Sequence, residues 1–157
     1  MENGIIIVGS DGWVSLLGEI AAKFSDGQLI SHEWLKDKFG LKKLTLKDFE
    51  TVEDFLDARD NQQWSYMQLV DSLRWQLLEN YKAYLRNIRG DGYIILQPQD
   101  QTQYGYDHFV SDMKKAFKEA GLIMNNVQPV DSTQQAKDND LRAKFGMLKQ
   151  MLSYVKL

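Results

Sequence analysis

Residues 84–96 read Tyr-Leu-Arg-Asn-Ile-Arg-Gly-Asp-Gly-Tyr-Ile-Ile-Leu, with two apolar runs on either side of Arg89-Gly90-Asp91-Gly92. Short apolar runs separated by a glycine-rich turn are typical of a β-hairpin. Glycine suits such a turn because it adopts positive φ at little cost. The sequence therefore predicts a hairpin over residues 84–96.

The segment before the hairpin predicts a long helix. Its apolar residues recur at steps of three and four, as they do on the buried face of an amphipathic helix. They are Trp64, Met67, Val70, Leu73, Leu77, Tyr81 and Tyr84. A separate, short acidic helix is expected over residues 46–60. Trp75 lies off the buried stripe, so we expect it either to anchor a partner, as interface tryptophans often do, or to be covered by the C-terminal helices.

The N-terminal part predicts a strand at residues 5–8, a helix over residues 11–24 and a second, short helix. The first helix has Ser10 or Asp11 as its cap, and the second is capped by Ser31 and stops at Gly40. The chain up to the hairpin therefore runs helix, short helix, long helix, hairpin.

The residues after the hairpin predict a polar connector over 97–103, interrupted by Pro98, and then two helices. The first is expected to end at Gly121 and the second to start at Ser132. The last helix carries apolar residues in 4-3-4-3 spacing, namely Leu141, Phe145, Leu148, Leu152 and Val155. A seam of this period keeps one helix facing another, so it predicts a homodimer; the alternative is that it packs on the core of its own chain.

The order of elements is that of a winged helix-turn-helix, and two motifs carry a closer resemblance. Ile88-Arg89-Gly90-Asp91-Gly92-Tyr93 resembles the [VI]-R-G-x-G-Y wing signature of the OmpR-class effector domain of response regulators. The stretch Gly27-Gln28-Leu29-Ile30-Ser31, with Glu33, Leu35 and Phe39, is similar to that family's turn into its second helix. The resemblance covers about residues 12–96 and implies that the third helix lies in the DNA major groove while the hairpin contacts the backbone.

The predicted fold class is α+β, mostly helical, with a winged helix-turn-helix core at residues 1–97 and a C-terminal helical extension at residues 104–157. The chain has 157 residues, of which 43% are hydrophobic and 26% charged, as in an ordinary globular domain. It contains no Cys, which excludes disulfides, thiolate catalysis and thiolate zinc sites. The apolar run at residues 5–8 is too short for a signal-peptide core, so we expect a cytoplasmic protein without a membrane segment.

Under the DNA-binding interpretation, the long helix offers Gln68, Ser72 and Gln76 to base edges. Lys and Arg side chains would neutralise phosphates. They are Lys42, Lys43, Lys82, Arg86 and Arg89. The alternative is an ordinary solvated helix face, because Asp71 and Glu79 would repel phosphates and the net charge is −3.

No catalytic or metal-binding pattern is visible. His32 and His108 stand alone, and a row of aspartates at Asp54, Asp57 and Asp60 is more typical of a solvated face than of a cation site. We therefore expect no cofactor, no metal and no enzymatic activity.

Two hypotheses remain from the sequence. The first is a small DNA-binding regulator of transcription that acts as a homodimer, with Trp75, Leu141, Phe145, Leu148 and Leu152 as protein contacts. The second is a protein-interaction module, such as an adaptor or an inhibitor of a DNA-processing machine, that keeps the winged-helix shape. Charge placement separates them: basic residues converging on the exposed side of the long helix favour DNA, and acidic residues there favour a protein partner.

Overall fold

The computed structural model describes residues 4–155, and its architecture is α+β and mostly helical, as predicted. The described residues form two compact units, 4–101 and 102–155. In chain order the elements are α1 (Asp11–Lys23), β1 (Ile30–Ser31), α2 (His32–Lys38), a 3₁₀ turn (Leu46–Asp48), α3 (Val52–Tyr81), β2 (Leu85–Ile88), β3 (Gly92–Ile95), α4 (Pro98–Asn125) and α5 (Ser132–Tyr154). No helix within residues 4–155 combines the length and the apolar character needed to cross a bilayer.

The sheet is antiparallel, with strand order β1-β3-β2, so the second strand of the hairpin lies in the middle. Gly92 pairs with Ser31 on one side and with Ile88 on the other. A Cβ atom on Gly92 would collide with the carbonyl oxygen of Ile30, so β1 approaches β3 at a distance that only glycine permits. The predicted hairpin is confirmed, and its pairing with β1 ties it to the N-terminal helices.

The core of the first unit is assembled from α1, α2, α3 and the sheet. Trp13 is 0% exposed and stacks on Phe39 with ring centroids 6.1 Å apart. Its Nε1–H donates to Oε1 of Gln76 at 2.8 Å, which satisfies the polar atom of the buried indole. The buried cluster comprises Trp13, Leu16, Leu17, Ile20, Phe24, Ile30, Leu35, Phe39, Leu41, Tyr66, Leu69, Val70, Leu73, Leu77, Leu85, Tyr93 and Ile95.

The first two helices begin at the predicted caps. The hydroxyl of Ser10 accepts a hydrogen bond from the backbone N–H of Trp13 at 3.2 Å, and that of Ser31 accepts one from Trp34 at 3.1 Å. The predicted strand at residues 5–8 is wrong, since this segment has no strand partner. It is held instead by the N–H of Ile6, which donates to the carbonyl of Phe39 at 2.9 Å. A β-branched run shows apolar character, but it does not provide the neighbouring strand that a ladder requires.

The third helix is longer than predicted, because the acidic segment forms its first turns rather than a separate helix. It starts after Thr51, whose hydroxyl accepts from the N–H of Asp54 at 3.0 Å, and it ends at Lys82 with φ 57°. The buried stripe also differs from the prediction: Tyr66 and Leu69 lie in the core, whereas Trp64 and Met67 are exposed.

The second unit consists of most of α4 together with α5. The helix α4 begins at Pro98, inside the predicted connector, because proline at the first helical position loses no intrahelical hydrogen bond. It continues through Gly121 to Asn125, whereas α5 starts at the predicted Ser132. The two helices run antiparallel, and their contact includes the rings of Phe117 and Phe145, with centroids 5.2 Å apart.

Candidate interaction surface on the third helix

The outward face of α3 carries large apolar side chains. Trp64 is 66% exposed, Met67 54% and Trp75 56%. Trp64, Gln68, Asp71 and Trp75 follow one another at steps of four, three and four, so they share one side of the helix. Single exposed apolar residues are ordinary, but two tryptophans and a methionine along one helix face form a patch of the kind that marks interaction sites. We call Asp57, Asp60, Trp64, Met67, Gln68, Asp71, Trp75 and Glu79 the α3 surface.

Acidic residues are interleaved with these apolar residues. Asp57, Asp71 and Glu79 lie on the same side of α3 as the tryptophans, by the same spacing. Asp60 is paired with Arg59 at 3.3 Å, but no ion pair within residues 4–155 involves Asp57 or Asp71. The α3 surface is therefore apolar and negatively charged.

A groove separates this face from the hairpin. It holds about 400 Å³ and is lined by Trp64, Met67, Gln68, Val70, Asp71 and Arg74 of α3, with Asn87 and Tyr93 of the strands. The guanidinium of Arg74 lies over the ring of Tyr93, 6.0 Å from its centroid. Arg74 Nε is buried and has no hydrogen-bond partner in the described part of the chain. The groove thus combines an indole, a thioether and a carboxylate with one positively charged floor residue.

Tyr93, which lines the groove, also belongs to a cluster with His32 and Tyr66. Nδ1 of His32 and the hydroxyl of Tyr66 share a hydrogen bond of 2.7 Å, and the imidazole packs edge-on against both phenol rings. Burial, reinforced by Tyr93, raises the pKa of Tyr66, and burial also raises the pKa of Tyr93 against the opposing effect of Arg74. Burial, aided by the charge of Lys36 and opposed by Asp91, lowers the pKa of His32. Each shift favours the uncharged form, as expected for polar groups within a core.

The residues predicted to read bases do not share one exposed face. Gln68 points outward, but the side chain of Gln76 is engaged by the indole of Trp13. Ser72 is half-buried and lies with Ile5 and Val8 along a second groove. Of these three, only Gln68 belongs to the α3 surface.

The residues predicted to contact phosphates are dispersed around α3. Lys42 lies along a groove with Ala58 and Ser65, which occupy the side of α3 opposite to Met67 and Arg74. Its carbonyl accepts from Nε2 of Gln62 at 2.6 Å, and Lys43 is the exposed next residue.

The other three basic residues follow the end of α3. Lys82 caps the helix, and its Nζ donates to the carbonyl of Glu79 at 2.8 Å. Arg86 lies on β2, and Arg89 is exposed at the hairpin tip. Lys42 and the hairpin strands therefore lie on opposite sides of α3, and the face between them is acidic.

The predicted C-terminal seam is divided by the structure. Phe145 and Leu152 are half-buried against α4, whereas Leu141 and Leu148 are 58% and 55% exposed. Half of the seam thus holds the α4–α5 hairpin together, and the other half has no partner in the described residues.

Among residues 4–155, no group of three or more His, Asp or Glu side chains is arranged to hold a metal ion. His108 has one carboxylate beside it, Asp112 one turn later, with Nδ1 and Oδ2 separated by 3.2 Å. Sequence analysis overlooked this pair.

Sequence reasoning also assigned Trp64 and Met67 to the core. Two stripes are possible on this helix, one through Trp64 and Met67 and one through Tyr66 and Leu69, because both continue into Val70 and Leu73 at helical spacing. The polar residues Gln63 and Gln68 on either side do not indicate which stripe is buried.

When the chain is compared with family models, with curated proteins and with solved structures, none of the three comparisons finds a match.

Proposed function

We propose that this protein is a protein-interaction module with a winged helix-turn-helix shape, and that it binds a protein partner through the α3 surface. The observation that carries the proposal is the combination of exposed Trp64, Met67 and Trp75 with Asp57 and Asp71 on one face of α3, where neither carboxylate forms an ion pair within residues 4–155.

The chemistry of this face favours a protein over DNA. The DNA backbone carries a dense negative charge, and proteins that approach it supply Lys and Arg. Here the carboxylates of Asp57, Asp71 and Glu79 would face the phosphates. Tryptophan, in contrast, is among the residues most enriched at the centres of protein interfaces, where it fills apolar pockets. This outcome corresponds to the second of the two sequence hypotheses.

The winged-helix part of the proposal is supported by topology. The order α1, α2, α3 and then the hairpin β2–β3 is the order that the resemblance implies. The hairpin carries the Arg89-Gly90-Asp91-Gly92-Tyr93 motif at its turn. Because one fold serves many functions, the shape leaves the choice between DNA and protein to the chemistry of the α3 surface.

The partner we infer presents apolar pockets rimmed by basic groups. Its pockets would take the indoles of Trp64 and Trp75, and its Lys or Arg side chains would pair with Asp57 and Asp71.

The substitution Asp71→Lys tests protein binding against DNA binding, because it has opposite effects on the two. The full chain is titrated with a lysine-rich amphipathic helical peptide as probe, and separately with mixed genomic DNA fragments at two salt concentrations. We expect the peptide to bind, with a Kd that rises about tenfold in Trp75→Ala and in Asp71→Lys. Val14→Ala, which removes an apolar side chain of similar exposure on α1, is the matched control and should bind unchanged.

Two outcomes would contradict the proposal. Lack of peptide binding would exclude the basic, apolar partner that we infer. Saturable DNA binding that becomes tighter in Asp71→Lys would identify the α3 surface as a DNA contact.

DNA binding is a second candidate because Arg89 is exposed at the tip of the hairpin, where a wing contacts phosphate. If the chain binds DNA, Arg89→Ala should weaken binding of all sequences alike and reduce the salt slope by about one unit. Transcription regulation, a cytoplasmic location, a homodimer and the lack of enzymatic activity stay predictions.

A further inference from the structure

The α4–α5 unit has an unusual distribution of apolar residues. None of the described residues of α4 or α5 is buried. At the same time, large side chains on both helices and on their connection are about half exposed or more. They include Phe109, Ile123, Val127, Val130, Leu141, Leu148, Met151 and Val155, with exposed fractions between 43% and 65%.

These residues share one face of the hairpin. Phe109, Ala116 and Ile123 are seven residues apart on α4, as are Leu141 and Leu148 on α5 and Val155 at its C-cap, so each set forms a nearly straight line along its helix. Ile123 and Leu141 line the same hollow, which places the two lines on one side of the helix pair. We call this side the hairpin face.

The opposite side of the hairpin is basic. A hollow there is lined by Lys114 and Lys118 of α4 and by Lys149 of α5, next to Phe117 and Leu152. The two sides of the helix pair therefore differ in charge, since this hollow carries three lysines and no acidic residue beside its apolar side chains.

Four of the charged residues on and beside the hairpin face form ion pairs within their own helices, and two others, Glu119 and Lys137, are of opposite sign. Lys144 pairs with Asp140 at 2.7 Å, and Lys115 pairs with Asp112 at 3.6 Å. A face with little net charge does not select a partner of opposite sign. It is compatible with a second copy of itself.

We propose that the hairpin face binds the same face of a second copy, so that two α4–α5 hairpins form a four-helix bundle. An interface around a two-fold axis uses one patch twice and must be self-complementary, which suits an apolar patch without net charge. The eight side chains, each about half exposed, together offer an apolar patch on the order of several hundred Å², the size that marks interaction sites. Each partner in a typical stable interface buries about 800 Å².

The bundle revises the dimer that the sequence predicts. The α5 residues in contact are Leu141, Leu148, Met151 and Val155, whereas Phe145 and Leu152 are used within each copy. The helix α4 adds Phe109 and Ile123, which the sequence seam does not contain. The spacing of 3.5 residues on both helices is the one found in four-helix bundles.

Sedimentation of the full chain from 1 to 100 µM tests the bundle. We expect the wild type to sediment at twice the chain mass of 18.2 kDa over most of this range. Leu148→Glu introduces a charge at the centre of the face, and it should raise the dimer Kd at least about tenfold. Lys118→Glu is the matched control, because it places the same side chain on the opposite side, and it should sediment as the wild type does.

A monomeric wild type at 100 µM would overturn the proposal, and so would equal effects of Leu148→Glu and Lys118→Glu. Far-UV circular dichroism shows whether each variant keeps its helices. If Leu148→Glu loses helical content, Ile123→Glu provides a second test of the same face on α4. Trp75→Ala should leave sedimentation unchanged, so the bundle and the proposed function of the α3 surface fail independently.

Discussion

Replacing Gly92 with alanine should destabilise the first unit far more than the same change at Gly90, two residues earlier in the same turn. Both glycines have positive φ, 85° at Gly90 and 152° at Gly92, so both substitutions strain the backbone. They differ in their surroundings. A Cβ atom at Gly90 meets nothing within 4 Å, whereas at Gly92 it collides with the backbone of Ile30 and comes within 3.0 Å of the Cα of Ser31.

The magnitudes follow from these surroundings. Strain alone should cost Gly90→Ala about 1 kcal/mol of the free energy of unfolding. Gly92→Ala has a comparable backbone cost of about 1–3 kcal/mol, and in addition β1 must move away from β3. Ile30 is 0% exposed, and losing part of its packing adds about 2 kcal/mol. We therefore expect about 3–5 kcal/mol for Gly92→Ala.

Urea titration followed by tryptophan fluorescence measures this difference. All four tryptophans precede residue 102, so their emission reports on the first unit. The two variants and the wild type should show similar m-values and well-separated midpoints. If Gly92→Ala lies within about 0.5 kcal/mol of Gly90→Ala, the close approach of β1 to β3 is not what holds the sheet together.

Three further predictions concern the core beneath the α3 surface. Leu73 is 0% exposed, so Leu73→Ala should lower the free energy of unfolding by about 2–5 kcal/mol, whereas Trp64→Ala should change it by less than about 0.5 kcal/mol. Similar values for the two variants would mean that the buried face of α3 is misassigned. Gln76→Met removes the acceptor of the Trp13 indole and should cost about 1–3 kcal/mol in the same titration, with Gln68→Met, on the exposed face, as the neutral control. Because the pKa of His32 is lowered in the folded protein, its contribution to stability is complete above the unfolded value of 6.5 and declines as pH falls through 6.5 toward the lower folded pKa. Denaturant titrations between pH 7 and pH 5 should therefore show a slope that His32→Gln reduces, and an unchanged slope in His32→Gln would assign the acid sensitivity to other groups.

The elements that the sequence predicted well are those with local signals. Ser10 and Ser31 stand at cap positions, and the helices that follow them satisfy the cap hydrogen bonds. The glycines of residues 89–92 specify a turn between two apolar runs, and the hairpin forms there. Such signals act within a few residues, so they can be recognised without knowledge of the tertiary fold.

The elements that it predicted poorly depend on distant partners. Whether residues 5–8 form a strand depends on a neighbouring strand, and whether Trp64 or Tyr66 faces the core depends on where α2 and the sheet lie. The pairing of β1 with β3 rests on Gly92 and Ile30, which are far apart in sequence. Helical periodicity locates the buried face only to within one or two residues. It therefore does not determine which of two neighbouring aromatic rings is buried and which is exposed.

The residues of the candidate interaction surface were also predicted well where the signal was local and poorly where it depended on distant partners. Trp75 was identified as a possible partner contact because it lay off the stripe, and it is exposed on the α3 surface. Gln76 was predicted to read DNA bases, but its side chain accepts a hydrogen bond from the buried indole of Trp13. Trp13 is 63 residues away in sequence, so the residues around Gln76 do not indicate this contact. The charge placement that separates DNA from protein partners also required the structure, because Lys42 and the hairpin strands lie on opposite sides of α3.

The length of α3 has a consequence for motion. Its 30 residues extend over about 45 Å, but the first buried side chain is Tyr66, so nearly half of the helix precedes the core. That first half is held by the Thr51 cap, by the rings of Phe49 and Phe55 at 5.7 Å, and by the loop before it. Segments with few buried contacts open locally at a lower free energy than the core does. Amide protons of residues 55–62 should therefore exchange with solvent much faster than those of residues 69–77, because the start of this helix unwinds more easily than its buried half.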